Sequence, residues 1–189
     1  MNASHQVPRR RLFNRLRHWL TTRVYRPERS LPPFTWIGDT RIAVGAMPLP
    51  ETLDDLVASG ITHVVNCRAA AQTGFSGDLA VEREIFGSDH VEVAPMWDHG
   101  RPQSPNAFGR GARFAADALD DPNARVLIHC QKGRRRSVLV AYAALRLRGL
   151  AGDEAARVIL SSRKEARVVP AYRRSVEEWL AADGANDHG

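Results

Sequence analysis

At 189 residues, 43% of them hydrophobic, the chain can bury one sizeable core, and its length favours one globular domain over two. Cys67 and Cys130 lie far apart and the seven histidines are scattered, so neither a disulfide scaffold nor a zinc module is supported, and nothing demands an oxidising compartment. The net charge of +6 is local: eight of the 27 basic residues and one of the 21 acidic ones fall in residues 1–30, which leaves 19 against 20, a balance unsuited to binding nucleic acid.

Residues 1–30 read as a basic amphipathic arm. Leu12, Phe13, Leu16, Trp19 and Leu20 recur at helical spacing among Arg11, Arg15 and Arg17, and the pattern fails near Thr21 and Thr22. No run approaches the roughly 18 apolar residues of a membrane span. The Arg9-Arg10 pair resembles a twin-arginine signal, but arginines interrupt what should be a continuous apolar stretch, so the arm is read as mature sequence. It suits two roles equally: peripheral contact with anionic lipid through residues 9–25, or packing on its own domain.

Pro32 and Pro33 join the arm to a body over 31–183. Short β-type runs at 34–37 and 41–44 come first, then Pro50 opens a helix through 58, ended by Gly60. A strand is expected at 62–66, a helix at 79–86 and a strand at 91–94. Ser104-Pro105 reads as a cap with proline at the first helical position, starting a helix to about 119. The most apolar strand, 125–129, is followed by helices at about 136–148, 153–162 and 171–182 and a disordered tail at 184–189. Strands alternating with helices predict an α/β fold, a central largely parallel sheet of four to five strands flanked by helices.

After the strand at 126–128 comes His129-Cys130-Gln131-Lys132-Gly133-Arg134-Arg135-Arg136-Ser137, then a helical run. A tight strand-to-helix loop aims backbone N–H groups inward at the positive end of a helix, a cradle for a dianion. The same field favours a Cys130 thiolate, Gly133 supplies the positive φ or close approach, and Arg136 can clamp two phosphoryl oxygens. Ser137 can donate a hydrogen bond to the sulfur when it leaves.

These nine residues resemble the signature of the protein tyrosine phosphatase superfamily, and the compact size resembles its dual-specificity branch. The resemblance implies a cysteine-phosphatase fold of dual-specificity type and hydrolysis of phosphate monoesters through a phosphocysteine on Cys130. Phosphorylated protein side chains would be the substrates, in the cytoplasm. Cys130, Arg136, Ser137 and an acid would be catalytic; Gln131, Lys132, Gly133, Arg134 and Arg135 would bind phosphate, with His129 orienting the loop. Neither metal nor organic cofactor is needed.

The leaving group needs a proton donor. In parallel sheets the carboxyl ends of strands share one edge, which puts Asp98, after the strand at 91–94, beside Cys130; Asp89, Asp120 and Asp121 fall at the opposite edge. Asp98 also stands 32 positions before the cysteine, from 98 to 130, similar to the acid of dual-specificity phosphatases. His99 is the reserve. Cys67 ends a strand at the same edge and is read as a small buried thiol sooner than a redox partner of Cys130. Trp36, Trp97 and Trp179 are expected in core or lid packing.

Lys132, Arg134 and Arg135 make the loop more cationic than the chemistry requires, as in inositol-lipid phosphatases of the superfamily. Val44-Gly45-Ala46-Met47-Pro48-Leu49 resembles the mitochondrial phosphatidylglycerophosphate phosphatase subgroup. A phospholipid substrate is therefore the alternative, and a phosphate-binding module without turnover a third.

Overall fold

The computed structural model describes Leu16, residues 33–49 and residues 52–186. The arm over residues 9–25, with its lipid contact, lies outside the described residues apart from Leu16, as does 187–189.

Five strands form one sheet: β1 (Phe34–Trp36), β2 (Ile42–Gly45), β3 (His63–Asn66), β4 (Val91–Val93) and β5 (Val126–His129). Their order is β1-β2-β5-β3-β4, with β1 antiparallel and the rest parallel. This is the α/β class expected. Period-two alternation gives the sheet two apolar faces. Ile42, Val44, Val65, Val126 and Ile128 join the larger core with α4 (Pro105–Ala118), α5 (Arg136–Leu147), α6 (Gly152–Ser162) and α7 (Pro170–Asn186). Ala43, Val64 and Leu127 face the other way, onto α1 (Leu53–Ala58) and α3 (Asp78–Phe86).

The register is what places the site. Gly45 pairs with His129, His129 with Asn66, and Asn66 with Val93, so four parallel strands finish level. Ala46, Cys67, Ala94 and Cys130 then leave the sheet along one edge, and the loops that follow share it.

Several expectations change. A helix, α2 (Ala70–Ser76), lies where none was read, and a 3₁₀ turn (Ser88–His90) precedes β4. Ser104 occupies the cap position of α4 without a side-chain bond; its carbonyl accepts from Ala107 N at 2.8 Å. The last helix runs past 182 into the expected tail, and near its end Arg113 on α4 pairs with Asp183 (2.5 Å) and lies 4.9 Å above the Trp179 ring. Trp36 stands edge-on to Phe34 and Trp179 to Phe108, but Trp97 is 59% exposed, outside the core.

Candidate active site

Residues 130–135 turn β5 into α5 above the end of β2. Gly133 has φ +63, and a Cβ there would stand 2.4 Å from the Gly45 carbonyl carbon, so no other residue lets the loop lie this low. Arg163, buried just after α6, fastens the loop from beneath: its Nε donates to the Gly133 carbonyl (2.9 Å) and its NH1 to Thr35 Oγ1 (2.9 Å).

Cys130 is 3% exposed, and Ser137 Oγ lies 3.3 Å from its sulfur. Burial pushes the thiol up. The Arg136 guanidinium, the Ser137 hydroxyl and the backbone N–H groups of Ser137 and Lys132 outweigh it, bringing the pKa from near 9.0 to about 7.

Arg136 is held from behind. Its NH1 donates to Gln72 Oε1 on α2 (2.9 Å) and to the Met96 carbonyl (2.9 Å), while its buried Nε has no acceptor among the described residues. A buried donor without an acceptor is costly, and an anion at the sulfur would relieve it.

The other loop residues divide. Gln131 Oε1 accepts from Arg68 Nε (3.0 Å), Lys132 is exposed, and the Arg134 carbonyl accepts from Arg167 N (2.8 Å). The Arg135 side chain turns to Asp98, its NH1 3.3 Å from Oδ1, and its guanidinium lies 5.8 Å from the Tyr172 ring centre. Asp98 Oδ1 also accepts from the Tyr172 hydroxyl (3.0 Å). The reserve acid, His99, faces its own loop: Nδ1 accepts from Arg101 N (3.1 Å) and Nε2 is 3.4 Å from Gln103 Nε2.

His129 Nε2 sits 2.9 Å from Glu82 Oε1, both fully buried. Beside them Arg68 pairs with Asp78 (2.6 Å), Asn66 Nδ2 donates to Asp78 (2.9 Å) and Glu82 (3.0 Å), and Ser76 donates to Asp78. Cys67 is a buried free thiol whose N–H donates to the His129 carbonyl (2.8 Å). Burial, and then the charge of Cys130, push its thiol well above the usual range.

Gln72, Met96, Arg163, Tyr172, Arg68 and Glu82 were not read from sequence. Arg68 and Gln72 follow β3, so the edge rule that found Asp98 could have found them too. The loop opens onto a cleft of about 310 Å³ lined by Arg68, Ala71, Gln72, Phe75, Trp97 and Gln131, with Phe75 and Trp97 58% and 59% exposed.

No family model matches the sequence. The mouse (Mus musculus) dual specificity protein phosphatase 13B is 34% identical over 93 residues, 48% of this chain; the match spans less than half, 44%, of that relative. Among solved structures, human DUSP28 superposes with TM-score 0.65 at 20% identity, covering 82% of this chain and 97% of that one. The complex of PTPMT1 with PI(5)P gives 0.70 at 20%, covering 82% and 99%. The chain has the dual-specificity phosphatase fold. Within that fold the active form of Tk-PTP is 27% identical, with TM-score 0.60 over 78% of this chain and 95% of that one. The likeness is to the dual-specificity branch of the protein tyrosine phosphatase superfamily, with PTPMT1 among its neighbours.

Proposed function

We propose that this protein is a phosphoric monoester hydrolase working through a phosphocysteine. One observation carries the reading: a thiol with a pKa of about 7 stands beside an arginine whose buried Nε has no acceptor among the described residues. The Cys130 thiolate attacks phosphorus as the bond to the leaving oxygen breaks, and Asp98 gives that oxygen its proton. Water then attacks the phosphocysteine, returns a proton to the Asp98 carboxylate, and frees the thiolate, which Ser137 stabilises by hydrogen bonding. Arg136 holds two phosphoryl oxygens throughout.

Phosphorylated protein side chains suit the open cleft of about 310 Å³ lined by Phe75 and Trp97. The alternative is a phospholipid: the PTPMT1 neighbour was solved with a phosphoinositide, and an exposed tryptophan and an exposed Lys132 suit a lipid interface.

Cys130→Ser is expected to abolish hydrolysis of a chromogenic aryl phosphate by roughly 10³-fold or more; unchanged rates end the mechanism. Asp98→Asn is expected to slow alkyl esters far more than activated aryl ones. Parallel rates on phosphopeptides, phosphoinositides and phosphatidylglycerophosphate then decide between the substrates.

A further inference from the structure

The proposed mechanism needs Asp98 over the loop but does not say what keeps it there. Asp98 stands on an irregular segment, and its loop leans on α7 at two places. The Tyr172 hydroxyl accepts from Gly100 N (3.1 Å) and donates to Asp98 Oδ1 (3.0 Å), so one oxygen grips both ends of a three-residue turn. One helical turn on, Ser175 Oγ accepts from Gln103 N (3.0 Å), while Gln103 Nε2 donates to the Trp97 carbonyl (2.9 Å). Tyr172 and Ser175 are 1% and 5% exposed, so their positions are set by the core and not by solvent. Arg135 closes the arrangement at Oδ1. Gly100, at φ +73, is where a Cβ would come within 2.9 Å of the Arg135 guanidinium.

We infer that Tyr172 is a positioning residue for the proton donor: it docks the Asp98 loop on α7 and, with Arg135, occupies Oδ1, so that the proton delivered to the leaving oxygen travels from Oδ2. This inference rests on the proposed hydrolase reading. The carboxyl is then oriented by a group that touches neither phosphorus nor sulfur. Displacing it by about 1 Å is enough to remove most of a proton donor's contribution, which is typically 10²- to 10⁴-fold.

The test is Tyr172→Phe, which keeps the buried ring and deletes the oxygen. Hydrolysis of an alkyl ester, a phosphothreonine peptide, is expected to lose about tenfold or more in kcat with KM within about twofold, whereas an activated aryl phosphate stays within about twofold. In an Asp98→Asn background the same substitution is expected to add nothing, because it acts through the missing carboxyl. Amide exchange at Gly100 is expected to accelerate. Equal losses on both esters, or a full further loss without Asp98, overturn the inference and leave a packing role. If Tyr172→Phe does not fold, Ser175→Ala releases the same loop from its other anchor, and the same comparison of esters decides. A wild-type protein that hydrolyses neither ester overturns the hydrolase reading and this inference with it. A wild type sensitive to Asp98→Asn but indifferent to Tyr172→Phe overturns this inference alone.

Discussion

At Cys130 burial opposes ionisation, and the Arg136 guanidinium leads the groups that prevail over it. The thiolate is the reactive form, so alkylation should rise with pH through a midpoint near 7 and level off above it. Neutral iodoacetamide is the suitable reagent, because an anionic one would also report the cationic loop. Arg136→Met removes the strongest opposing charge, and the midpoint should move up towards the ordinary thiol range. A wild-type midpoint at the ordinary thiol value, or one that Arg136→Met leaves in place, contradicts this account. The same residues explain what sequence could reveal. Cys130, Gly133, Arg136 and Ser137 fall within eight residues, and their chemistry is written in one short segment. Gln72, Met96 and Arg163 reach that loop from distant elements: the edge rule could bring Gln72 to the right side of the sheet, but nothing local marks Met96 or Arg163. Arg135 lies in the same loop, but its side chain reaches Asp98, a contact between elements that the loop's own sequence does not mark.

Among the elements, α2 is the instructive one. Ala70-Ala71-Gln72-Thr73-Gly74-Phe75-Ser76 contains a glycine and a threonine and precedes Gly77, so propensity alone leaves it a loop. Side-chain hydrogen bonds at its two ends fasten it as a helix. Gln72 Oε1 accepts from Ala69 N (3.2 Å) at its start, and Ser76 at its end is held by Arg68 NH1 (2.6 Å) and by Asp78. Burial pushes the Asp78 carboxyl up, but Arg68, Ser76 and Asn66 hold it below the usual carboxylate range. The ion pair is 3% and 1% exposed, so deleting one partner strands a buried charge. Asp78→Asn should therefore cost about 3–5 kcal/mol in urea unfolding. It should also slow hydrolysis, since Arg68 steadies Gln131 and α2 carries the Gln72 behind Arg136. A loss below about 1 kcal/mol would show that the network does not hold these elements together.

For the molecule as a whole, the sheet class and most helices were legible because apolar runs of period two and 3.6 alternate along the chain, and the carboxyl-edge rule needed only strand direction to put Asp98 on the side of Cys130. The buried charges between the sheet and α3 were not legible: His129 ends an apolar strand, but the pattern around Asp78 and Glu82 alone would place such carboxylates in water. They set how stability responds to pH. Burial pushes His129 down, but the carboxylates of Glu82 and then Asp78 more than offset it, so its pKa in the folded chain lies above the ordinary 6.5. A raised histidine contributes fully below its unfolded pKa, and that contribution is lost as pH rises through the folded value. Asp78, held low, behaves oppositely: its contribution is present above the unfolded carboxylate value and lost as pH falls through the folded one. Cys130, brought down to about 7, adds stability as pH rises from there, so the His129 contribution is read in a Cys130→Ser background, whose stability should be greatest between the carboxylate range and about pH 6.5 and should decline on the alkaline side. Thermal unfolding from about pH 6 to 8.5 tests it, each kcal/mol lost lowering Tm by about 2–4 °C in a chain of this size. Glu82→Gln removes the first carboxylate holding His129 protonated, so this variant should start lower and show a flatter alkaline limb. In the Cys130→Ser background, a Tm that rises over the interval, or an alkaline limb unchanged by Glu82→Gln, would mean that His129 is buried neutral and that Glu82 is held by Asn66 alone.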